Sequence, residues 1–309
     1  MISDLTLGFI YSSGALFAWA ALSFFIRLSM QNAPLLKVAA LASTFNGIFV
    51  SILFFFTVIL VDNLFFSSIT TYILIVVTGF MMIALSRLSY YYAIGQIGPS
   101  RTIPIAASTP AVSAYLASLF LNEPITLKML LGLVVLMVGV IYVVRSSVSL
   151  QDSQDSKSKK RIILGYLSAG ATTLNWSLCG IMLKAISKDL PTEYGPFGTS
   201  MFVINIGCIF AWFLYVFFKP KDIEKRKFPK KNWKWLICAA ACQTIAIPCY
   251  TNALSYTLVV NVSSITALQP LVVILVSKIF LDQIEKINMK LIGGALMSVV
   301  GTILILLSF

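Results

Sequence analysis

Arg87 is the residue of this sequence best placed to do chemistry. It stands within MMIALSRLSYYYAIG, about eight residues, or roughly 12 Å of helix, from the nearer end of an apolar run of membrane-spanning length. A guanidinium buried there without a partner costs several kcal/mol, so an intramembrane charge is a functional-site candidate by default. Its planar fork can hold a carboxylate or phosphate through two parallel hydrogen bonds. The plainer alternatives are snorkelling to the interface, or bonding to backbone carbonyls exposed at a proline kink. Tyr91 lies one turn further along the same helical face and can share such a site. Tyr90 and Tyr92 point elsewhere and, near the helix end, are expected at the interface.

Other polar and aromatic groups join this set. Trp19 and Trp176 sit in mid-span, too deep for the interfacial belt, and are expected either to wall a central cavity or to pack at a seam. Asn46, Asn205, Asn175, Gln243 and Asn252 are intramembrane amides able to contact a solute or to bond helices together. Pro104, Pro110, Pro248 and Pro270 free backbone carbonyls and are expected to serve as conformational hinges. All eleven carboxylates fall in loops or at helix ends, and the chain has no histidine. Intramembrane hydrolysis or group transfer needs paired acids, a His or Cys with a base, or a metal cluster, so an enzyme is disfavoured and no cofactor or metal is expected. The five cysteines form no CxxC and read as small packing residues. A receptor or assembly factor without transport activity is the remaining alternative.

The elements that must carry these groups are membrane helices. Hydrophobic residues make up 59% of the 309 and charged ones only 11%, too few to cover a soluble surface. Ten apolar runs are read as spans, at 5–28, 36–60, 71–95, 101–121, 128–146, 163–185, 195–218, 234–256, 261–281 and 290–308. The first of these is read as a retained helix rather than a cleaved signal. The net charge of +12 resides in the loops, where it signals topology rather than a nucleic-acid partner.

The chain repeats itself. Residues 7–34 lie over 164–191 without a gap, placing Gly8 on Gly165, Trp19 on Trp176, Arg27 on Lys184 and Pro34 on Pro191. The stretch ending at Pro110 matches the one ending at Pro270, and Phe120-Leu121-Asn122-Glu123 matches Phe280-Leu281-Asp282-Gln283. Residues 1–146 and 162–309 therefore form two five-helix repeats, joined by a polar linker at 147–161. An odd number of spans per repeat inverts the second copy, the architecture of secondary transporters with a solute site near the midplane.

Trp19 in the first helix, Pro110 in the fourth, Glu123 at its end and the spaced Gly132 and Gly139 in the fifth resemble the EamA-type domains of the drug/metabolite transporter superfamily. Pro270, Gly294 and Gly301 repeat the pattern, with Gln283 in place of the Glu. The resemblance implies export or exchange of a small organic metabolite by alternating access. The first four helices of each half would wall the cavity, with the fifth and tenth peripheral. Small exporters of this superfamily couple to protons through a Glu in the first helix; its absence here favours facilitated transport or exchange. An amino acid or other carboxylate-bearing solute fits Arg87. Expected partners are that solute and membrane lipid, and a monomer suffices.

The expected location is the inner (plasma) membrane. The loops after spans 1, 3, 5, 7 and 9 hold nearly all the cations, including Lys157, Lys159, Lys160 and Arg161 in one and Lys225, Arg226, Lys227, Lys230 and Lys231 in another. Cytoplasmic loops retain such residues. The charges therefore place both termini outside the cytoplasm, whereas the family resemblance implies termini inside.

Overall fold

The computed structural model describes residues 4–31, 33–60, 68–97, 99–148, 156–187, 189, 195–218, 228–269, 271–273 and 289–307. Among these, every element is helical. The first half contains α1 (Asp4–Ser29), α2 (Leu35–Leu60) and α3 (Ile69–Gly79). A π-helical turn (Phe80–Leu85) leads from α3 into α4 (Ser86–Ile97), followed by α5 (Pro99–Ala106), α6 (Thr109–Phe120) and α7 (Leu127–Val148). The second half contains α8 (Ser156–Ser187), α9 (Gly195–Phe218), a 3-10 turn (Lys230–Asn232), α10 (Trp233–Tyr256), α11 (Val259–Thr266) and α12 (Met289–Leu306). Among the described residues, five stretches are long and apolar enough to cross a membrane: Asp4–Ser29, Leu36–Phe56, Ile69–Ile97, Gly195–Phe217 and Lys230–Tyr256. Thr109–Phe120 and Leu127–Tyr142 are shorter apolar helices.

Three features depart from a plain series of spans. First, α8 starts at Ser156, inside the polar linker. Lys and Arg are good helix formers, and extending a helix already formed needs no new nucleus.

Second, the fourth span is broken at Ala107 and Ser108, between α5 and α6. Pro110 lacks the N–H that would reach the Ala106 carbonyl, and the Thr109 hydroxyl donates to that oxygen instead, at 2.6 Å. The second half breaks at the matching place: α11 ends at Thr266 and turns at Ala267 and Leu268. Ser108 N–H donates to Ile105 O at 3.0 Å, and its counterpart Leu268 N–H donates to Ile265 O at 3.1 Å. Pro270, the expected cause of the second break, lies outside the described residues. Of the other expected hinges, Pro104 lies within α5, and Pro248 is accommodated inside a continuous α10.

Third, nothing in FMMIAL announces the π turn. Ser86 stabilises it, since both its N–H and its hydroxyl reach Met81 O, the latter at 2.6 Å. The extra residue rotates everything beyond it by about 100° relative to an uninterrupted α-helix.

Two compact units emerge, and each draws on both halves of the sequence. The first comprises Met1–Leu88 and Cys179–Thr257, the second Ser89–Leu178 and Leu258–Phe309. In the first unit α1 packs along α10, α2 along α9 and α10, and α3 with the π turn along α9. A Cβ added to Gly79 would come within 2.8 Å of Val203 O, so α3 and α9 touch backbone to backbone. In the second unit α7 packs along α12 and α6 against α11. There a Cβ on Gly139 would meet Ser298 N at 2.7 Å, and one on Gly301 would meet Leu136 Cα at 2.7 Å. The spaced glycines thus let the last helices of the two repeats approach closely.

Candidate functional site

Helix α2 presents Thr44, Gly47 and Ser51 along one face, a spacing of about one turn each. Facing them on α9 are Asn205, Cys208 and Trp212, again one turn apart. Between the two helices lies an open cleft of about 970 Å³, lined by these residues together with Ile48, Ile52, Phe55, Phe56 and Ile209. Two polar pairs cross its floor. The Ser51 hydroxyl donates to Asn205 Oδ1 at 2.8 Å, and the Trp212 indole N–H donates to Thr44 Oγ1 at 2.8 Å. Unpaired polar groups at membrane depth cost several kcal/mol each, so these pairs can share a helix–helix face with large apolar residues only because each satisfies the other. The groove is shallow, with Ile52, Phe55, Phe56 and Ile209 exposed along it; its walls suit an apolar body and its floor a hydrogen-bonding group.

Behind the floor stands Arg87, at the start of α4, just past the π turn. It is 8% exposed. Its Nη1 donates to Ser43 Oγ at 2.7 Å and its Nη2 to Asn46 Oδ1 at 3.2 Å. Asn46, fully buried, passes the chain on by donating to Thr244 Oγ1 at 2.8 Å. The network ties α4, α2 and α10 together through a charge-assisted bond. Ser43 belongs both to this network and to the cleft wall. On the other side of Ser43, a void of about 10 Å³ adjoins Arg87. The guanidinium therefore neither snorkels nor meets the cleft directly in this conformation.

The remaining expected residues divide between the units. Trp19 lies on Tyr250 in the first, with ring centroids 5.2 Å apart and planes tilted by 51°. Trp176 lies on Tyr90 in the second, at 5.0 Å and 49°. Tyr90 is thus a buried packing residue and not an interfacial one, because the end of α4 packs on α8 through Ala93, Ile97 and Ala169. Tyr91 is buried in the second unit, its ring 6.2 Å from that of Tyr90. Arg87 belongs to the first unit, so adjacency on one helical face does not put the two in one compact unit. Asn175 is half-buried on α8 beside Trp176 in sequence. Gln243 is half-buried on α10, with a buried Oε1 that lacks a hydrogen bond. Asn252 donates to Pro248 O at 2.8 Å within its own helix. Of the expected site residues, the structure gathers Arg87, Asn46 and Asn205 around α2. Sequence reading misses Ser43, Thr44, Ser51 and Trp212, although Thr44 and Ser51, two turns apart on α2 with Gly47 between them, carried the signal.

One further carboxylate is placed with care. Asn122 ends α6 in the left-handed region at φ 53°, which an Asn tolerates better than most residues. That turn carries the buried Glu123 to the start of α11, where Oε2 accepts the Val259 N–H at 3.1 Å and Oε1 lies at 3.4 Å. A carboxylate at a helix N-terminus satisfies an orphan donor and complements the dipole.

Comparison with known proteins extends this picture. The model of the EamA-like transporter family matches residues 6–145 and, a second time, residues 163–307. A solved structure, described only as a crystal structure of a protein, is similar over the whole of both chains at 15% identity and a TM-score of 0.73, a likeness that shows the fold alone. No curated protein matches the chain.

Proposed function

Since the chain belongs to the EamA-like transporter family, and so is an integral membrane transporter of the drug/metabolite transporter superfamily, we propose that it is a secondary carrier moving a small organic metabolite by alternating access. The observation that carries this reading is the pair of helix breaks at Ala107–Ser108 and Ala267–Leu268, at matching positions of the two repeats. Discontinuous helices are where secondary transporters place solute sites and flex points, because the freed backbone groups can bond a ligand or rearrange. In this reading the chain has ten spans in two inverted repeats, 1–146 and 162–309, joined at 147–161, and lies in the plasma membrane.

The α2/α9 cleft supports a solute with an apolar body and a hydrogen-bonding end, such as an amino acid or other carboxylate-bearing metabolite. The lining residues of the cleft are uncharged, and Arg87 stands behind one of them, Ser43. A solute carboxylate reaches it when Ser43 yields. The carrier works by exchange or facilitation, since no described carboxylate lies in mid-span to relay a proton.

The test is counterflow in proteoliposomes preloaded with a panel of amino and organic acids, with a lumenal pH dye present. Uptake of a labelled acid that depends on a preloaded one supports the reading. Absence of flux for every acid on a panel that includes apolar and aromatic members refutes this solute class, and lumenal pH changes in step with flux refute the coupling.

A further inference from the structure

The turn that opens α10 carries three exposed cations, Lys230, Lys231 and Lys234, where a membrane-spanning stretch begins. Side chains of other helices fix this turn in place. Asn232, buried among the three, donates to Ser29 O and Gln31 O at 3.0 and 2.7 Å, which pins the turn to the end of α1. Trp233 meets Phe228 and the α2 residue Phe45 edge-on, at 5.2 and 5.8 Å between ring centroids. Trp235 stacks on Phe25 of α1 at 5.9 Å, and Lys234 Nζ lies 4.5 Å from the Trp235 ring centroid. No carboxylate of these helices answers the charge. Helices α2 and α10 contain none, and Asp4, the one in α1, stands at the opposite end of that helix. A topology signal needs only a count of cations in a loop, not a fixed arrangement of them. The fold does not need them either. The third helix of the first repeat starts at Ile69 with no cation before Arg87, and Ser68 caps it by accepting the Thr70 N–H at 3.2 Å.

Below Lys234 the same helical face continues as Ile237, Cys238, Ala241 and Ile245, with Ile237 39% and Ile245 57% exposed. From Lys234 to Ile245 is roughly 16 Å of helix, close to the depth of one leaflet in a hydrocarbon core about 30 Å thick. Fixed cations thus stand above an exposed apolar stripe, with Trp residues beside them at the level where the interface favours Trp. We propose that this turn binds a single anionic phospholipid, its phosphate held by Lys230, Lys231 and Lys234 and an acyl chain lying along the stripe. Anionic lipid supplies the counter-charge that the surrounding helices lack. A soluble phosphate ester would use the cations and leave the stripe uncovered. The inference needs only that the chain spans a membrane, not what it carries.

Purified protein in a neutral detergent, with no added solute, is heated with phosphatidylglycerol, phosphatidylcholine or glycerol 3-phosphate at equal ionic strength. Phosphatidylglycerol raises the unfolding midpoint by about 2–5 °C over the other two, and the rise saturates with concentration. The rise disappears in the triple variant Lys230→Gln/Lys231→Gln/Lys234→Gln and persists in Lys230→Arg/Lys231→Arg/Lys234→Arg. It persists also in Lys128→Gln/Lys160→Gln/Arg161→Gln, which removes as many exposed cations elsewhere. Equal midpoints in the two lipids, an equal rise with glycerol 3-phosphate, or the same loss in both Gln triples overturns the proposal. Should the first triple not fold, the wild-type protein decides with lipids brominated on their acyl chains. Brominated phosphatidylglycerol quenches tryptophan fluorescence more than brominated phosphatidylcholine does, and the excess shrinks in Trp235→Phe. No excess, or an excess unchanged in Trp235→Phe, overturns the site. Because no solute is present, failure here leaves the transport reading intact, and absence of flux leaves the lipid site intact.

Discussion

Trp19 rests against Tyr250, a first-half side chain held by a second-half one, with ring centroids 5.2 Å apart. Trp176 and Tyr90 reproduce that contact at 5.0 Å with the halves exchanged. The offset that carries Pro110 onto Pro270 also carries Tyr90 onto Tyr250. The glycines follow suit. A Cβ on Gly8 would meet Thr257 and Tyr256, and one on Gly165 would meet Ile97 and Gln96, the matching residues. The first helix of each repeat is thus seated on the third helix of the other.

Equivalence of the two aromatic contacts sets an expectation for stability. Trp19→Ala and Trp176→Ala should each cost about 3 kcal/mol, with similar losses in unfolding midpoint, and the Phe variants should cost clearly less. Thermal unfolding of the four purified variants checks this. Losses that differ several-fold between the two positions would contradict the equivalence.

Arg87 separates a binding role from a packing one. If a carboxylate-bearing solute reaches the guanidinium, Arg87→Ala abolishes counterflow, and it also lowers the unfolding midpoint by what the lost bonds to Ser43 and Asn46 contribute, whereas Arg87→Lys keeps the charge. Arg87→Lys restores part of the flux, because a point-charge ammonium cannot bond bidentately. Full transport by the Ala variant would remove Arg87 from the solute path.

Glu123 holds the start of α11 through one backbone donor. Glu123→Ala leaves the Val259 N–H buried without its acceptor and should cost about 1–3 kcal/mol; Glu123→Gln, which keeps an amide oxygen, should cost less. A double-mutant cycle with Val259→Pro, which removes the donor, isolates the pair. A coupling near zero would show that the carboxylate stabilises through something else.

Orientation is decided by labelling. The cation-rich loops are expected on the cytoplasmic side, and Lys160 and Lys231 mark two of them at exposed positions. Single cysteines there, in a cysteine-free background, should escape a membrane-impermeant thiol reagent in intact cells and react after permeabilisation. Strong labelling of both in intact cells would place the termini in the cytoplasm and show the charge argument wrong. The neighbouring Asn232 is unsuitable, being buried and donating to Ser29 O and Gln31 O at 3.0 and 2.7 Å.

Features written in composition or periodicity were legible in the sequence. Apolar run length marked the described spans, constant offsets revealed the repeat, and Pro110 flagged the broken fourth helix. The π turn was not legible, because FMMIAL contains no Gly or Pro and its cause, the Ser86 hydroxyl bonding five residues back, is local geometry without a motif. Tyr90 was misjudged because nearness to a helix end suggests an interface, whereas a neighbouring helix covers it. The partners of Arg87 are likewise distant in sequence, Ser43 and Asn46 being brought to it by the packing of separate helices. Side chains that meet only in the folded chain leave no periodic trace.

The bond between Glu123 and Val259 bears on how the two repeats have diverged. The offset that pairs Glu123 with Gln283 pairs Val259 with Pro99, a residue with no N–H to donate. Where the donor is missing the carboxylate is missing too, so acid and acceptor-seeking amide survive as one matched set, each contributed by a different copy. A protein stitched from two first repeats would carry two such acids facing prolines. One built from two second repeats would offer its two amide donors the neutral oxygen of a glutamine in place of a carboxylate. At this contact the duplicated segments are no longer equivalent, because each copy keeps the half of the pair that the other has lost.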